Sequence, residues 1–588
     1  MSAPPRPEET IDVSADAEKT AGAQTTAEPD LKDGHESDES NQFQAGVQRV
    51  RVITETWSKP TLASMFCLFY LIVFVDFLQN SIDSALNPYI TSSFGSHGLL
   101  NVVGIMSTML GGCVPLTLAK IIDIFGRVEG YAFSLLVAII GMIMKATCKN
   151  VETYFAAHVL YWTGHIGILY VIDVMVADIT TLKNRMIIFG INGTPRIAAT
   201  FAGPKIGELF YNNLNFRWAF GSFAIILFGC SLPAMGTMWM MFRRARKMGY
   251  LSEREQSGRA WYQSIWYYFL EFDIIGILLV MLAFVLFLLP FSLVAYAPNG
   301  WKTGYIIAMI VLGILMVPVF YSWEKWFAPV QFLPFKYLKE PTIIGSCLLY
   351  GVMFLSTFCW NGYFNSYLQV VHRQSITHAG YILNSFSLTS SVFGPLIGML
   401  ISYTGNFKWV AYSGVPIMLL GTALIIPFRA PDTNPGVLAL TQVLLGLGTG
   451  IFAICGQIAV MAPVTHQQIA VVNAIWGLFG GIGSSIGFAI AGGMWNNLLP
   501  QELYKRLPED TKDQYRIIFA DIVTQMSYAD GTPERDAVVG AYSAVMRKMV
   551  IAGACTVPLC LASIWLWKNI NVKKIEEEKG KQTKGTVF

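Results

Sequence analysis

The chain has 588 residues, 54% of them hydrophobic and 13% charged, against roughly a quarter charged in an ordinary soluble domain. So few charges cannot cover a water-facing surface, which excludes a soluble globular enzyme, and the apolar residues run through the whole chain, which excludes a protein with a single anchor. The net charge of +3 joins an acidic start, with twelve acidic and six basic residues in 1–59, to a basic remainder.

Residues 1–60 are rich in Glu, Asp, Ser, Ala, Pro and Thr and hold few aromatics. Such a stretch cannot bury enough apolar surface to fold, so a disordered acidic tail is expected. No apolar core of a cleavable signal peptide is visible there. From Thr61 onward come apolar runs long enough to cross a hydrocarbon core of about 30 Å. They lie near 62–86, 98–119, 131–148, 153–177, 186–209, 218–241, 271–296, 303–323, 342–367, 379–402, 409–427, 436–462, 468–494 and 548–567, fourteen spans in all.

Lys and Arg of the short loops set the orientation. The loop after span six carries Arg243, Arg244, Arg246, Lys247, Arg254 and Arg259, and the loops after spans two and four carry Arg127, Lys183 and Arg185. All fall on one side, which places both termini in the cytosol and a mixed-charge loop at 496–547 outside. No basic stretch is interleaved with exposed aromatics, so nucleic acid is not an expected partner. The nine cysteines lie in or at the ends of apolar runs and form no CxxC pair, so neither a disulfide framework nor a structural metal is expected.

After span two comes Ala119-x3-Asp123-x2-Gly126-Arg127. It resembles the loop motif GxxxD(R/K)xGR of the major facilitator superfamily, with Ala in a Gly position. Small residues there let helix ends approach, and Asp123 and Arg127 can make pairs that form and break as two bundles rock. After span ten, Gly398-x3-Ser402-x2-Gly405-x2-Lys408 repeats the glycine spacing without the acid. The echo implies two related halves with a substrate site between them near the bilayer midplane. Span five carries Gly190-x8-Ala199-x3-Gly203-Pro204-x2-Gly207, similar to the fifth-helix motif of superfamily antiporters. Its small residues permit close helix packing and Pro204 a kink.

Four further stretches narrow the resemblance: YITSSFGSHGLL (89–100), VADITTLKNR (176–185), NFRWAFG (215–221), and FLPFKYLKEPTIIG continuing through YFNSYLQVVHRQSITHAGYI (332–382). On these the chain resembles the fungal siderophore–iron transporter family of that superfamily, over about 61–570. The implied fold is an all-α polytopic membrane protein of about fourteen transmembrane helices, in two six-helix bundles plus two additional helices. The expected domains are the tail 1–60, a first bundle 61–242, a basic cytosolic loop 243–269, two additional helices 270–325, a second bundle 326–567 that includes the 496–547 loop, and a tail 568–588.

The resemblance implies proton-coupled uptake of ferric siderophores at a plasma membrane, or in an alternative reading at an endosomal or vesicular one. It also implies a monomer in the lipid bilayer, and no cofactor. Iron would travel as a siderophore chelate wrapped in its own oxygens, with protons as the coupling ion, so the protein needs no metal ligands of its own. A hydroxamate chelate, with a lean to the fusarinine type, is the expected substrate. A drug/proton antiporter of the same fold and a siderophore sensor without transport stay open, whereas no HExxH motif supports an enzyme.

A cavity for a bulky, near-neutral chelate calls for aromatic and amide groups. Span nine has Trp360, Tyr363 and Tyr367 at helical spacing, Asn361 and Asn365 beside them, and Phe364 between, and Gln457, Asn473 and Trp476 are further candidates. Bare aromatic stripes more often pack against helices or lipid, and the intercalated amides favour the cavity. For the proton, ionisable residues inside spans are costly and so conspicuous. Asp76 and Asp83 lie seven apart on span one and His158 and His165 seven apart on span four, with Asp173 further on and Arg196 in span five available to neutralise a carboxylate. Asp76 and Asp173 rank first as the deepest, then His165; a static buried pair is the alternative. Asp178 and Arg185 are expected to join Asp123, Gly126 and Arg127 in an inner gate. Asp273 and Glu324 fall at helix ends, where capping suffices, and His372 and His378 at the outer rim.

Overall fold

The computed structural model describes residues 59–179, 191–247, 261–329, 331–464 and 469–571. In hydrocarbon every backbone N–H and C=O must find a partner within the segment, so each apolar run closes into a helix. In chain order these are α1 (Lys59–Ser93), α2 (Leu100–Ile124), α3 (Arg127–Thr147), α4 (Val151–Ile179), α5 (Pro195–Asn213), α6 (Phe216–Lys247), α7 (Ile274–Leu293), α8 (Gly304–Ser322), α9 (Pro341–Val370), α10 (Ile376–Thr404), α11 (Phe407–Phe428), α12 (Pro435–Met461), α13 (Ile469–Arg506) and α14 (Pro533–Thr556). Among the described residues thirteen helices are long and apolar enough to cross a membrane, and α5 takes the fifth place in the series. The expectation of about fourteen helices agrees with this.

Helices α1–α6 and α9–α14 form two bundles, each with its own core. Glycines set the closest approaches. A Cβ on Gly141 of α3 or Gly164 of α4 would strike the other helix's backbone, at Tyr161 N and Ala138 N. On α13, a Cβ at Gly483 would strike the Gly351 carbonyl of α9, and one at Gly487 would lie 2.7 Å from the Leu355 carbonyl. Small residues stand where van der Waals contact, rather than expulsion of water, holds helices together.

The halves meet along α2–α13 and α5–α10. Thr108 Oγ1 and Ser485 Oγ lie 2.7 Å apart in the first seam. In the second, Asn384 Nδ2 donates to the Thr200 carbonyl at 3.1 Å, and Pro204 packs against Gly380. Helix α7 lies against both α2 and α13 and so covers the first seam. Asp273 caps α7: its carboxylate accepts from Gly276 N at 3.1 Å, Trp323 Nε1 at 2.7 Å and Phe332 N at 3.2 Å. Glu324 accepts from Phe332 N at 3.1 Å and Leu333 N at 3.3 Å. The two carboxylates thus pin α7, α8 and the segment entering α9 together.

The α13 helix runs on to Arg506 and the next long helix begins at Pro533, so the connection expected over 496–547 narrows to 507–532. It holds the short helices Tyr515–Ala520 and Ile522–Ser527 and caps one end of the molecule. Asp530 Oδ1 receives Arg373 Nη2 at 3.0 Å and Arg535 Nε at 3.1 Å, tying this strap to the second half. Ile522 N donates to Ser92 Oγ at 3.1 Å, reaching the first half. Further bonds cross between the halves at the same end: Tyr363 Oη to the Gly98 carbonyl at 2.8 Å, Tyr89 to Gln369, and Thr377 to Glu208. Asp173 and Arg196, towards the opposite end, are exposed. The cap end is therefore the closed one.

Candidate functional site

The first half contains a buried ladder of ionisable groups built by α1, α3 and α4. Residues seven apart share a helix face, and α1 and α4 run antiparallel, so Asp83 meets His158 and Asp76 meets His165. Lys145 of α3, with 0% exposure, completes the upper rung. Its Nζ lies 2.7 Å from Asp83 Oδ2 and 2.7 Å from His158 Nδ1. An ammonium only donates, so His158 Nδ1 accepts and Nε2 carries the proton towards Ser107 Oγ, 2.7 Å away. Tyr154 Oη reaches Asp83 Oδ1 at 3.4 Å and Asn87 Oδ1 at 3.1 Å. The rings of Tyr154, Tyr161 and Phe220 surround the ammonium at 4.6–5.1 Å, adding cation–π attraction.

In the lower rung, His165 Nδ1 stands 2.7 Å from Asp76 Oδ2. This is a close contact without the alignment of a hydrogen bond, and Asp76, at 1% exposure, has no hydrogen-bond donor on either oxygen. The Trp162 ring links the two imidazoles, 5.7 Å from His158 and 5.1 Å from His165. Phe77 meets His165 edge-on at 6.3 Å, and the Arg196 guanidinium lies 5.6 Å from the centroid of the same Phe77 ring.

Arg196 opens onto a cavity of about 100 Å³ between the halves. Helices α1 and α5 supply Asn80, Ser84 and Thr200 from the first half, and α9 and α10 supply Asn365, Asn384 and Ser387 from the second. Amide and hydroxyl groups dominate this lining, and both halves contribute. Tyr350, which interacts electrostatically with Arg196, stacks on Trp476 with ring centroids 3.6 Å apart. Trp476 Nε1 and Asn473 Oδ1 have no hydrogen-bond partner.

The model of the Major Facilitator Superfamily matches residues 68–371 and 346–500. "MFS siderochrome iron transporter 1" of Ajellomyces capsulatus is 58% identical over 95% of this chain and 97% of its own length. "Siderophore iron transporter mirB" of Emericella nidulans is 38% identical over 97% of this chain and 94% of its own. The chain belongs to the fungal siderophore–iron transporter family of the major facilitator superfamily. Among solved structures, a bacterial homologue of the human lysosomal transporter Spinster superposes with a TM-score of 0.54 at 15% identity, over 87% of this chain and 97% of that one, a likeness of fold. The protein is a multi-pass membrane transporter of this family.

Within this family member, the candidate residues read from the sequence separate into groups. Asp76, Asp83, His158 and His165 come together in the ladder. Asp173 stands apart: its carboxylate is exposed and receives Asn192 Nδ2 at 3.4 Å. Arg196 neutralises no carboxylate among the described residues; Lys145 takes that role. Of the span-nine face, Asn365 lines the cavity, and its Oδ1 also accepts from Gln369 Nε2 at 3.1 Å. Asn361 is half-buried. Trp360, Tyr363, Phe364 and Tyr367 are buried within the second half, where Tyr363 stacks on Trp495 at 4.2 Å and Tyr367 bonds to the Arg429 carbonyl. Gln457 is exposed on α12, one residue past Gly456, which approaches Trp476.

Gly126 adopts φ 123°, a conformation that favours glycine, and Arg127 Nη1 donates to the Ile122 carbonyl at 3.0 Å, closing the end of α2. The echo behaves alike: Gly405 has φ 74° and Lys408 Nζ binds the Trp565 carbonyl at 3.3 Å. Gly203 and Gly207 seat α5 against Ser81 and Ala85 of α1. The side chains of Asp123 and Asp178, and residues Arg185 and Gly190, lie outside the described residues. Lys145 is the residue that sequence reading missed: four residues before Lys149, it reads as the polar end of a span. Its signal was a cation one turn inside an apolar run.

Proposed function

We propose that this protein imports ferric siderophores of the hydroxamate type, with fusarinine-type chelates as the lead candidates, across the plasma membrane by proton-coupled alternating access. The observation that carries the reading is an amide- and hydroxyl-lined cavity, shared by two halves, beside a buried carboxylate–imidazole pair, in a chain 58% identical to a siderochrome iron transporter. Both termini lie in the cytosol in this reading, and the closed cap end faces outside.

Hydroxamate chelates present carbonyl and amide groups around a neutral iron centre, and Asn80, Asn365 and Asn384 offer both donors and acceptors to them. Asp76 and His165 lie 2.7 Å apart with no hydrogen-bond donor fixed on the carboxylate, so a proton can be held between them, which suits a coupling site. Proton entry from outside, rocking of the halves about the cavity and release inside complete the cycle. The test is radio-iron uptake on a panel of siderophores, with and without a protonophore, in a transporter-null host. Concentrative uptake lost with the protonophore is expected. Drug resistance without iron uptake would instead mark an antiporter, and saturable binding without entry a sensor.

A further inference from the structure

We propose that Arg196 makes the cavity a filter for the peripheral charge of the chelate, admitting neutral and anionic complexes and refusing cationic ones. This rests on the import reading above and adds to it the feature by which chelates are told apart.

The guanidinium opens onto the space between the halves. Among the described residues it has no ion-pair partner. The candidate carboxylates of the first half have other neighbours: Asp76 lies against His165, Asp83 pairs with Lys145 and Asp173 accepts from Asn192. Phe77, whose ring centroid lies 5.6 Å from the guanidinium, and Tyr350, which interacts with it electrostatically, are neutral rings, and the remaining lining is amide, hydroxyl and apolar. The lining therefore carries one uncompensated positive charge. That charge acts on the rim of any molecule seated between the halves. Carbonyl, hydroxamate or carboxylate oxygens on a chelate's rim can satisfy its five N–H donors. A free amine on the same rim meets a like charge with no acceptor to screen it. Discrimination of this kind works by repelling the wrong partner as much as by holding the right one.

Three iron-loaded trihydroxamates of the same skeleton test this in cells expressing the full chain: one with N-acetylated amines, one with free amines, and one with added carboxylates. In the wild type, uptake of the free-amine chelate is expected to be lower than that of the acetylated one by about tenfold or more. Arg196→Gln should close most of that gap, Arg196→Glu should reverse it, and Arg196→Lys should keep it. Wild-type uptake of all three at equal rates overturns the filter alone, as does an Arg196→Gln variant in which all three fall in proportion. Wild-type cells that take up none of them overturn the import reading and the filter with it. Should the variants fail to reach the surface, competition in the wild type decides: the free-amine gallium chelate should inhibit iron uptake far more weakly than the acetylated one, and equal inhibition overturns the proposal.

Discussion

Replacing Lys145 by methionine removes the ammonium from the upper rung and keeps most of the side-chain volume. Asp83 Oδ2 then loses its donor at 2.7 Å, and His158 Nδ1 loses the one it accepts from. Breaking a buried pair from one side costs about 3–5 kcal/mol, because the remaining charge stays buried without a partner. His158 moderates this. Its Nδ1 lies 3.4 Å from the same Asp83 oxygen, so it can bind a proton and stand in as the cation, which places the expectation near the lower limit, about 3 kcal/mol. The double variant Asp83→Asn/Lys145→Met leaves no unpaired charge and should return to within about 1 kcal/mol of the wild type. The assay is a double-mutant cycle on unfolding of the purified full-length protein in lipid nanodiscs. A coupling energy of about 2 kcal/mol or more is expected. Singles within about 0.5 kcal/mol of the wild type, or a double equal to the sum of the singles, would refute the account of this rung as a paired structural element.

Asp76→Asn should abolish concentrative siderophore uptake with surface expression unchanged, and full gradient-driven uptake in the variant would sink the role given to Asp76. Gly483→Ala should lower stability by about 1–3 kcal/mol, because its Cβ meets the Gly351 carbonyl; Gly477→Ala, on the same helix with open space around it, should be neutral or stabilising by about 0.5–1 kcal/mol, both read from thermal unfolding. The hydrogen bond from Arg373 to Asp530, with Arg535 nearby, holds that carboxyl below the usual carboxylate range. A group depressed on folding contributes above its unfolded pKa and loses that contribution as pH falls through the folded value. Protease resistance of the 507–532 strap should therefore persist at neutral and mildly acidic pH and fall only below about pH 4, while Asp530→Asn should weaken it at neutral pH and abolish the fall on acidification.

Ionisable residues inside apolar runs are legible from sequence because their cost makes them stand out, and the shared spacing of seven on α1 and α4 announced the faces that form the ladder. Lys145 escaped because a span's end cannot be located to within one turn from hydropathy alone. The stripe Trp360, Tyr363 and Tyr367 was legible as one helix face. Periodicity does not say what a face meets, and packing turned most of it towards α13 and α14, leaving Asn365 at the cavity. The cavity itself is spread over four helices, one of which gives only Asn365, so no single segment carries its pattern.

The strap over the closed end is fastened unequally. On the second half it is held by Arg373 and Arg535 converging on Asp530, by Arg373 on the Met526 and Tyr528 carbonyls, and by Tyr542 on Gln525. On the first half its hydrogen bonding, among the described residues, comes down to Ile522 and Ser92. In the alternating-access cycle proposed above, parting of the halves would break the single fastening first and leave the strap riding with the second half as a hinged flap.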